Sequence, residues 1–120
     1  MRRPLPQQTV SELTVGAVSF FCEIELEELL DTQAKRPAVS DARRLCWYIM
    51  RRHFNFTYPE CAAPFGGNHT SVMYAIRKFE QQSKTTKGLK RDAQRLAKLI
   101  RGRMGEAREA AMEGWLMNDD

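Results

Sequence analysis

The sequence lacks the features of a membrane or secreted protein. Its longest uncharged run in the first third, Leu13 to Cys22, is about half of the ~20 apolar residues that a transmembrane helix needs. Arg2 and Arg3 precede that run, as in a secretory signal peptide. However, Gln7, Gln8 and Glu12 lie between the arginines and the run, and no convincing cleavage site follows. We therefore expect a cytoplasmic protein that makes no membrane contact.

Cysteine and histidine are also scarce, which disfavours a disulfide framework, a metal site or a thiol enzyme. Cys22, Cys46 and Cys61 are far apart in the chain and include no C-x-x-C pair. Only His53 and His69 are present to activate a thiol. We expect buried cysteines, no cofactor and no catalysis.

Acidic residues are rare in the middle of the chain. Residues 35–103 contain sixteen Lys or Arg against four Asp or Glu, a net +12, whereas the two ends together carry −8. A basic centre of this size is typical of a protein that binds a polyanion. The alternative, that the cations only solvate helix surfaces, becomes weaker at so large a surplus.

The length of 120 residues and the hydrophobic content of 42% suit one folded domain.

Strand-like alternation is absent, and helical signals follow one another along the chain. Thr9 to Glu12 has the spacing of a capping box and predicts the start of a first helix. A short second helix is expected from Ile24 or Leu26 to Leu30. A basic loop, Asp31 to Val39, follows, and Ser40 is the predicted N-cap of a third helix.

The centre of the sequence predicts two helices joined by a sharp turn. Thr57 to Glu60 is a second capping-box pattern, and Pro64 limits the helix that it begins. Gly66-Gly67 suits a tight turn, and Asn68 is a good N-cap for a long fifth helix. This is the outline of a helix-turn-helix unit. A sixth helix is predicted over Leu89–Met104, with 106–116 as a further helix or a frayed tail.

Two segments resemble a known signature: FGGNHTSV at 65–72 and AIRKFE at 75–80. They are similar to F-G-G-R-D-H-T-T-V and A-x-R-K-I-E of the C-terminal DNA-binding domain of the bacterial replication initiator DnaA. The resemblance extends over roughly residues 10–101. It includes Tyr58-Pro59-Glu60, Arg43, Phe20-Phe21 and Leu29-Leu30.

This resemblance implies an all-α fold, a compact bundle of about six helices with a helix-turn-helix that binds double-stranded DNA. The start of the fifth helix would enter the major groove, where His69 and Thr70 would contact base edges with Ser71 beside them. Lys35 and Arg36 would enter the minor groove. The positions that match phosphate contacts are Arg43, Tyr58, Pro59 and Lys78.

The sequence departs from the family pattern at the head of the fifth helix. The family's arginine is missing, Asn68 replaces its aspartate, and Asp41 occupies a position that is commonly basic. An asparagine has the donor and acceptor pattern that pairs with adenine. We therefore expect a preferred site that differs from the initiator's, unless Asn68 serves only as the cap.

Other residues also have structural alternatives. His69 could cap the helix and pack against Phe65, and Thr70 and Ser71 could be ordinary first-turn residues. Arg77 is expected in an internal salt bridge. Trp47 and Trp115 are expected to pack rather than to stack on bases.

The sequence contains no P-loop motif, so nucleotide binding is not expected. We expect a stand-alone DNA-binding domain at residues 10–104, with an extension at 1–9 and a tail or short helix at 105–120. Its expected role is transcriptional regulation near the nucleoid. The alternative is a protein-interaction module that regulates the initiator or competes for its sites. Trp115, Leu116 and Met117 are candidates for a weak homodimer or partner contact.

Overall fold

The structure is a computed structural model that describes residues 6–117, with side chains up to residue 110. All regular elements in that range are helical, which confirms the predicted all-α fold. The helices are α1 (Gln7–Cys22), α2 (Leu26–Leu30), α3 (Pro37–His53), α4 (Tyr58–Ala62), α5 (His69–Thr85) and α6 (Leu89–Met117). A 3-10 turn, Ala63–Phe65, extends α4.

Helix α3 lies at the centre and packs against every other helix. Ile49 and Met50 on α3, Val18 on α1, Val72 on α5 and Ile100 on α6 are fully buried. Burying a large aliphatic side chain contributes roughly 1.5–3 kcal/mol, so this shared core fixes the helices relative to α3.

Helix α5 packs on α3 through an aromatic contact and an ion pair. The rings of Tyr48 and Phe79 stack with their centroids 4.2 Å apart. Beside them, Arg52 Nη2 lies 2.7 Å from Glu80 Oε1. These contacts bury one face of α5 and leave its opposite face in solvent.

Two predicted helix starts are wrong by a few residues. Helix α1 begins at Gln7 after Pro6, without a side-chain cap, so Thr9 lies inside the helix. Helix α3 begins at Pro37, and Ser40 lies within its first turn. A proline in the first turn loses no helical hydrogen bond, which allows α3 to begin earlier than Ser40. The basic loop is consequently 31–36 rather than 31–39.

Helix α6 is longer than predicted because it continues through Gly102 and Gly105 to Met117. A glycine within a helix costs only about 1 kcal/mol relative to alanine, which is too little to end a helix in favourable surroundings. The side chains of Trp115, Leu116 and Met117 lie outside the described residues, as do residues 1–5. No described helix has both the length and the apolar content to cross a membrane.

Candidate nucleic-acid interface

The turn between α4 and α5 has the local geometry that the sequence predicts. At the start of α4, Thr57 N–H donates to Glu60 Oε1 at 2.8 Å, and Glu60 N–H donates to Thr57 Oγ1 at 3.2 Å. The first of these bonds lowers the pKa of Glu60. Gly66 has a φ of 62°, in the left-handed region that favours glycine. This capped α4 and its glycine turn bring the chain sharply into α5.

The start of α5 is capped, and its first three residues are exposed. Asn68 Oδ1 accepts a hydrogen bond of 2.8 Å from the Thr70 N–H, so the predicted N-cap is confirmed. His69, Thr70 and Ser71 are all exposed, as is Asn68 itself. A helix N-terminus with exposed N–H groups carries a partial positive charge and suits an anionic ligand.

The outer face of α5 continues this exposed surface along the helix. We define the α5 stripe by exposed residues that each lie three or four positions from another member: Thr70, Tyr74, Arg77, Lys78 and Gln81. Tyr74 is 68% exposed, an unusual position for a large aromatic side chain. Tyr74 is not among the DNA-contacting residues expected from the sequence, although its spacing of four from both Thr70 and Lys78 places it on their face of the helix.

The basic loop is held by contacts with α2. Arg36 Nε lies 2.7 Å from Glu28 Oε1, and Arg36 Nη2 lies 3.0 Å from Glu28 Oε2. This bidentate pairing lowers the pKa of the Glu28 carboxyl. Lys35 is exposed. The loop therefore presents one cation to solvent and holds the other against an acid.

Arg43 is half-buried under the basic loop. Its Nε donates to the Leu29 carbonyl at 3.0 Å, and its Nη2 donates to the Asp31 carbonyl. Two of its donors are thus directed at the backbone that leads into the loop. The matched arginine therefore holds the backbone that precedes Lys35 and Arg36.

Tyr58 and Pro59 lie at the start of α4, and Lys78 lies on α5. Pro59 and Lys78 are exposed, and Tyr58 is half-buried. The Arg51 guanidinium lies 4.4 Å from the centre of the Tyr58 ring, and Arg51 Nη1 donates to the Phe56 carbonyl at 3.0 Å. This cation is therefore close to the start of α4.

Trp47, His69 and Arg77 each have a position in the structure that bears on the role expected for them. Phe65 is buried and meets Trp47 edge-on, with ring centroids 5.4 Å apart, so Trp47 is a packing residue, as predicted. His69 is exposed instead of being buried with Phe65. Arg77 is also exposed, and among the described side chains it has no carboxylate within salt-bridge distance. The predicted salt bridge of Arg77 is absent there.

Some cations of residues 35–103 form ion pairs with carboxylates, and others do not. Arg36, Arg44 and Arg52 form ion pairs with Glu28, Asp41 and Glu80. Exposed cations without a carboxylate within 4 Å, among the side chains that the structure describes, lie in the basic loop, on α5 and on α6. These cations are therefore exposed and not engaged by a carboxylate of the described side chains.

The thiols do not form a reactive site. Burial raises the pKa of Cys61 to about 12 and also raises the pKa of Cys46. Neither thiol is ionised near neutral pH. Within the described part of the chain, no group of three His, Cys, Asp or Glu side chains is arranged to hold a metal ion.

Residues 12–79 match a family described as "Bacterial dnaA protein helix-turn-helix". Curated relatives include the chromosomal replication initiator protein DnaA of Gloeobacter violaceus, 34% identical over 95 residues that cover 76% of this chain and 22% of that protein. The protein of the same name from Nostoc sp. is 33% identical over 90 residues, covering 74% and 19%. The chain therefore spans about a fifth of the length of these relatives.

A solved structure has the same fold over most of the chain. A crystal structure described as a DNA replication initiation factor superimposes with a TM-score of 0.70 at 23% identity. The match covers 82% of this chain and 30% of that one. It confirms the helical architecture predicted for residues around the helix-turn-helix.

Proposed function

We propose that this chain, which belongs to the family of bacterial DnaA helix-turn-helix domains, binds double-stranded DNA and selects its sequence with the start of α5. The observation that carries the proposal is the exposed start of α5, with His69, Thr70 and Ser71 in solvent and the cations Arg77 and Lys78 exposed about two turns further along the same helix. Such a helix start fits a major groove, where it meets base edges and phosphates together.

Base selection is assigned to the polar head of α5. The His69 ring and the Thr70 hydroxyl offer hydrogen-bonding groups to base edges, and the Thr70 methyl can contact a thymine methyl. Ser71 lies beside them. Tyr74, one turn further along the α5 stripe, adds an exposed aromatic surface with a hydroxyl.

Phosphate and minor-groove contacts are assigned to cations around this head. Lys35 and Arg36 form the candidate minor-groove arm, and Arg36 would exchange Glu28 for DNA on binding. Arg43 is one of the positions proposed near phosphates, and it also holds the backbone before this arm through the two carbonyls that it contacts. The remaining positions proposed near phosphates are Tyr58, Pro59 and Lys78.

We further propose that the chain acts as a transcriptional regulator through site occupancy at the nucleoid, since occupancy requires no catalysis. A protein-interaction role, in which the domain regulates the initiator, has one specific observation in its favour. Helices α1, α2 and α4 surround an open groove of about 720 Å³ whose apolar lining includes Val15, Leu26 and Leu30. A partner helix would bury this lining.

The dependence of binding on salt distinguishes these two roles. For roughly four to six neutralised phosphates, the logarithm of the DNA association constant should fall with the logarithm of salt concentration with a slope of about −4 to −5. Fluorescence anisotropy with a labelled duplex measures this slope. A slope near zero would contradict DNA binding, and salt-insensitive capture of a protein partner would favour the second role.

Asn68→Asp tests whether Asn68 reads a base in addition to capping α5. Both residues cap a helix about equally well, so stability should stay unchanged. The substitution replaces two amide donors with an acceptor, and we expect base preference at one position of the site to change by roughly tenfold. Selection from a random oligonucleotide pool with each protein measures this preference. Identical selected sites would restrict Asn68 to the capping role.

A further inference from the structure

Helix α6 presents a second cationic surface, which is separate from the residues at the start of α5 that are proposed to contact bases. Its first half contains six Lys or Arg, all exposed, against the single acid Asp92: Lys90, Arg91, Arg95, Lys98, Arg101 and Arg103. Among the described side chains, no carboxylate lies within 4 Å of any of them. This concentration of unpaired cations exceeds that on the outer face of α5.

Three of these cations form a row, which we call the α6 stripe: Arg91, Arg95 and Lys98. They follow one another at intervals of four and three residues, so they lie on one face over successive turns. The opposite face of α6 carries the buried residues Ala93, Leu96, Ala97 and Ile100. The stripe therefore faces solvent, directly away from the core.

The surface next to the stripe is open and shallow. Arg95, Lys98 and Arg103 line a groove of about 410 Å³ together with Leu99 and Gly102. A Cβ placed on Gly102 would have no heavy atom within 4 Å, so internal packing does not require a glycine there. Glu106 is the one acidic residue among those that line the groove.

The α6 stripe begins near the end of α5 that is opposite the turn proposed to contact bases. Helix α5 has 17 residues, so its last turn is roughly 24 Å from the first turn, which is proposed to enter the major groove. Only residues 86–88 separate the end of α5 from the start of α6. The first turn of α6 is thus separated by about one length of α5 from the turn that is proposed to enter the major groove.

We propose that the α6 stripe binds the phosphate backbone of a second DNA duplex, so that one molecule bridges two DNA segments. Cations in a row on one helix face match a polyanion whose charges are closely spaced along its axis. The contact would be independent of sequence, since phosphates carry no base information. This inference rests on the proposed function, because the first duplex is held by α5.

A two-duplex capture assay tests the proposal. A short duplex carrying only the selected site is immobilised and saturated with the full chain, and retention of a labelled duplex of unrelated sequence is then measured. The wild-type chain should retain the second duplex at low salt and release it as salt rises. The triple variant Arg91→Gln, Arg95→Gln, Lys98→Gln should retain roughly tenfold less, with affinity for the immobilised duplex within about twofold of wild type.

A matched variant controls for changes at these positions that leave the charge intact. Arg91→Lys, Arg95→Lys, Lys98→Arg should capture the second duplex as the wild type does, and circular dichroism should give the same helicity for all three proteins. Undiminished capture by the glutamine variant would overturn the proposal. Equal weakening of both duplexes would also overturn it, because the stripe would then contact the first duplex.

Failure of the inference is distinguishable from failure of the proposed function. A wild-type chain that holds the immobilised duplex but captures no second one refutes bridging alone. A chain that does not hold the immobilised duplex refutes DNA binding by α5.

Discussion

Phe79→Ala is expected to lower the free energy of unfolding by about 3–5 kcal/mol. Phe79 is 3% exposed, and its ring stacks on Tyr48 at 4.2 Å between α5 and α3. Removing the ring leaves a cavity at the contact between α5 and α3. Since domains of this size have a total stability of about 5–15 kcal/mol, the variant should be close to unfolding.

Urea denaturation followed by circular dichroism measures this loss, and Tyr74→Ala is the matched control. Tyr74 is also an aromatic residue of α5, but it is 68% exposed. Its removal should change the free energy of unfolding by about 0.5 kcal/mol or less. Equal losses in the two variants would contradict the assignment of the buried and outer faces of α5.

His69→Ala is expected to weaken binding to the selected site by about 1–3 kcal/mol and to leave binding to random duplexes almost unchanged. His69 is exposed in the first turn of α5, immediately after the Asn68 cap. A group that contacts a base edge contributes only where the correct base is present. Truncation should therefore lower specificity more than overall affinity for DNA.

Competition binding with selected and random duplexes measures the two affinities separately. Thr85→Ala is a suitable control, because Thr85 is exposed at the opposite end of α5 and should not alter either affinity. Equal losses on both DNAs would assign His69 to phosphate contact. A lowered melting temperature would give it a structural role instead.

The local signals at the helix-turn-helix were sufficient to predict its structure. Thr57 and Glu60 form the predicted capping box, and Asn68 caps α5 as predicted. Each feature depends on residues within a few positions of one another, whose backbone geometry local hydrogen bonds determine. The signature at 65–72 then indicated the family, to which the match over residues 12–79 assigns the chain.

Helix boundaries outside this unit were less predictable. Thr9 and Ser40 have good capping side chains, yet both lie inside helices that begin earlier, at Gln7 and Pro37. Glycine at 102 and 105 did not end α6. Capping and propensity contribute about 1 kcal/mol each, and tertiary packing of an apolar face outweighs them.

The sequence by itself determined the all-α class, the helix-turn-helix, the family and the net +12 of the central section. Only the tertiary structure decided which of those charges form ion pairs and which remain exposed without one. It pairs Arg36 with Glu28 and Arg52 with Glu80, whereas the cations of the α6 stripe remain exposed. Ion pairs between residues eight and 28 positions apart depend on how helices pack, and no local pattern in the sequence encodes that arrangement.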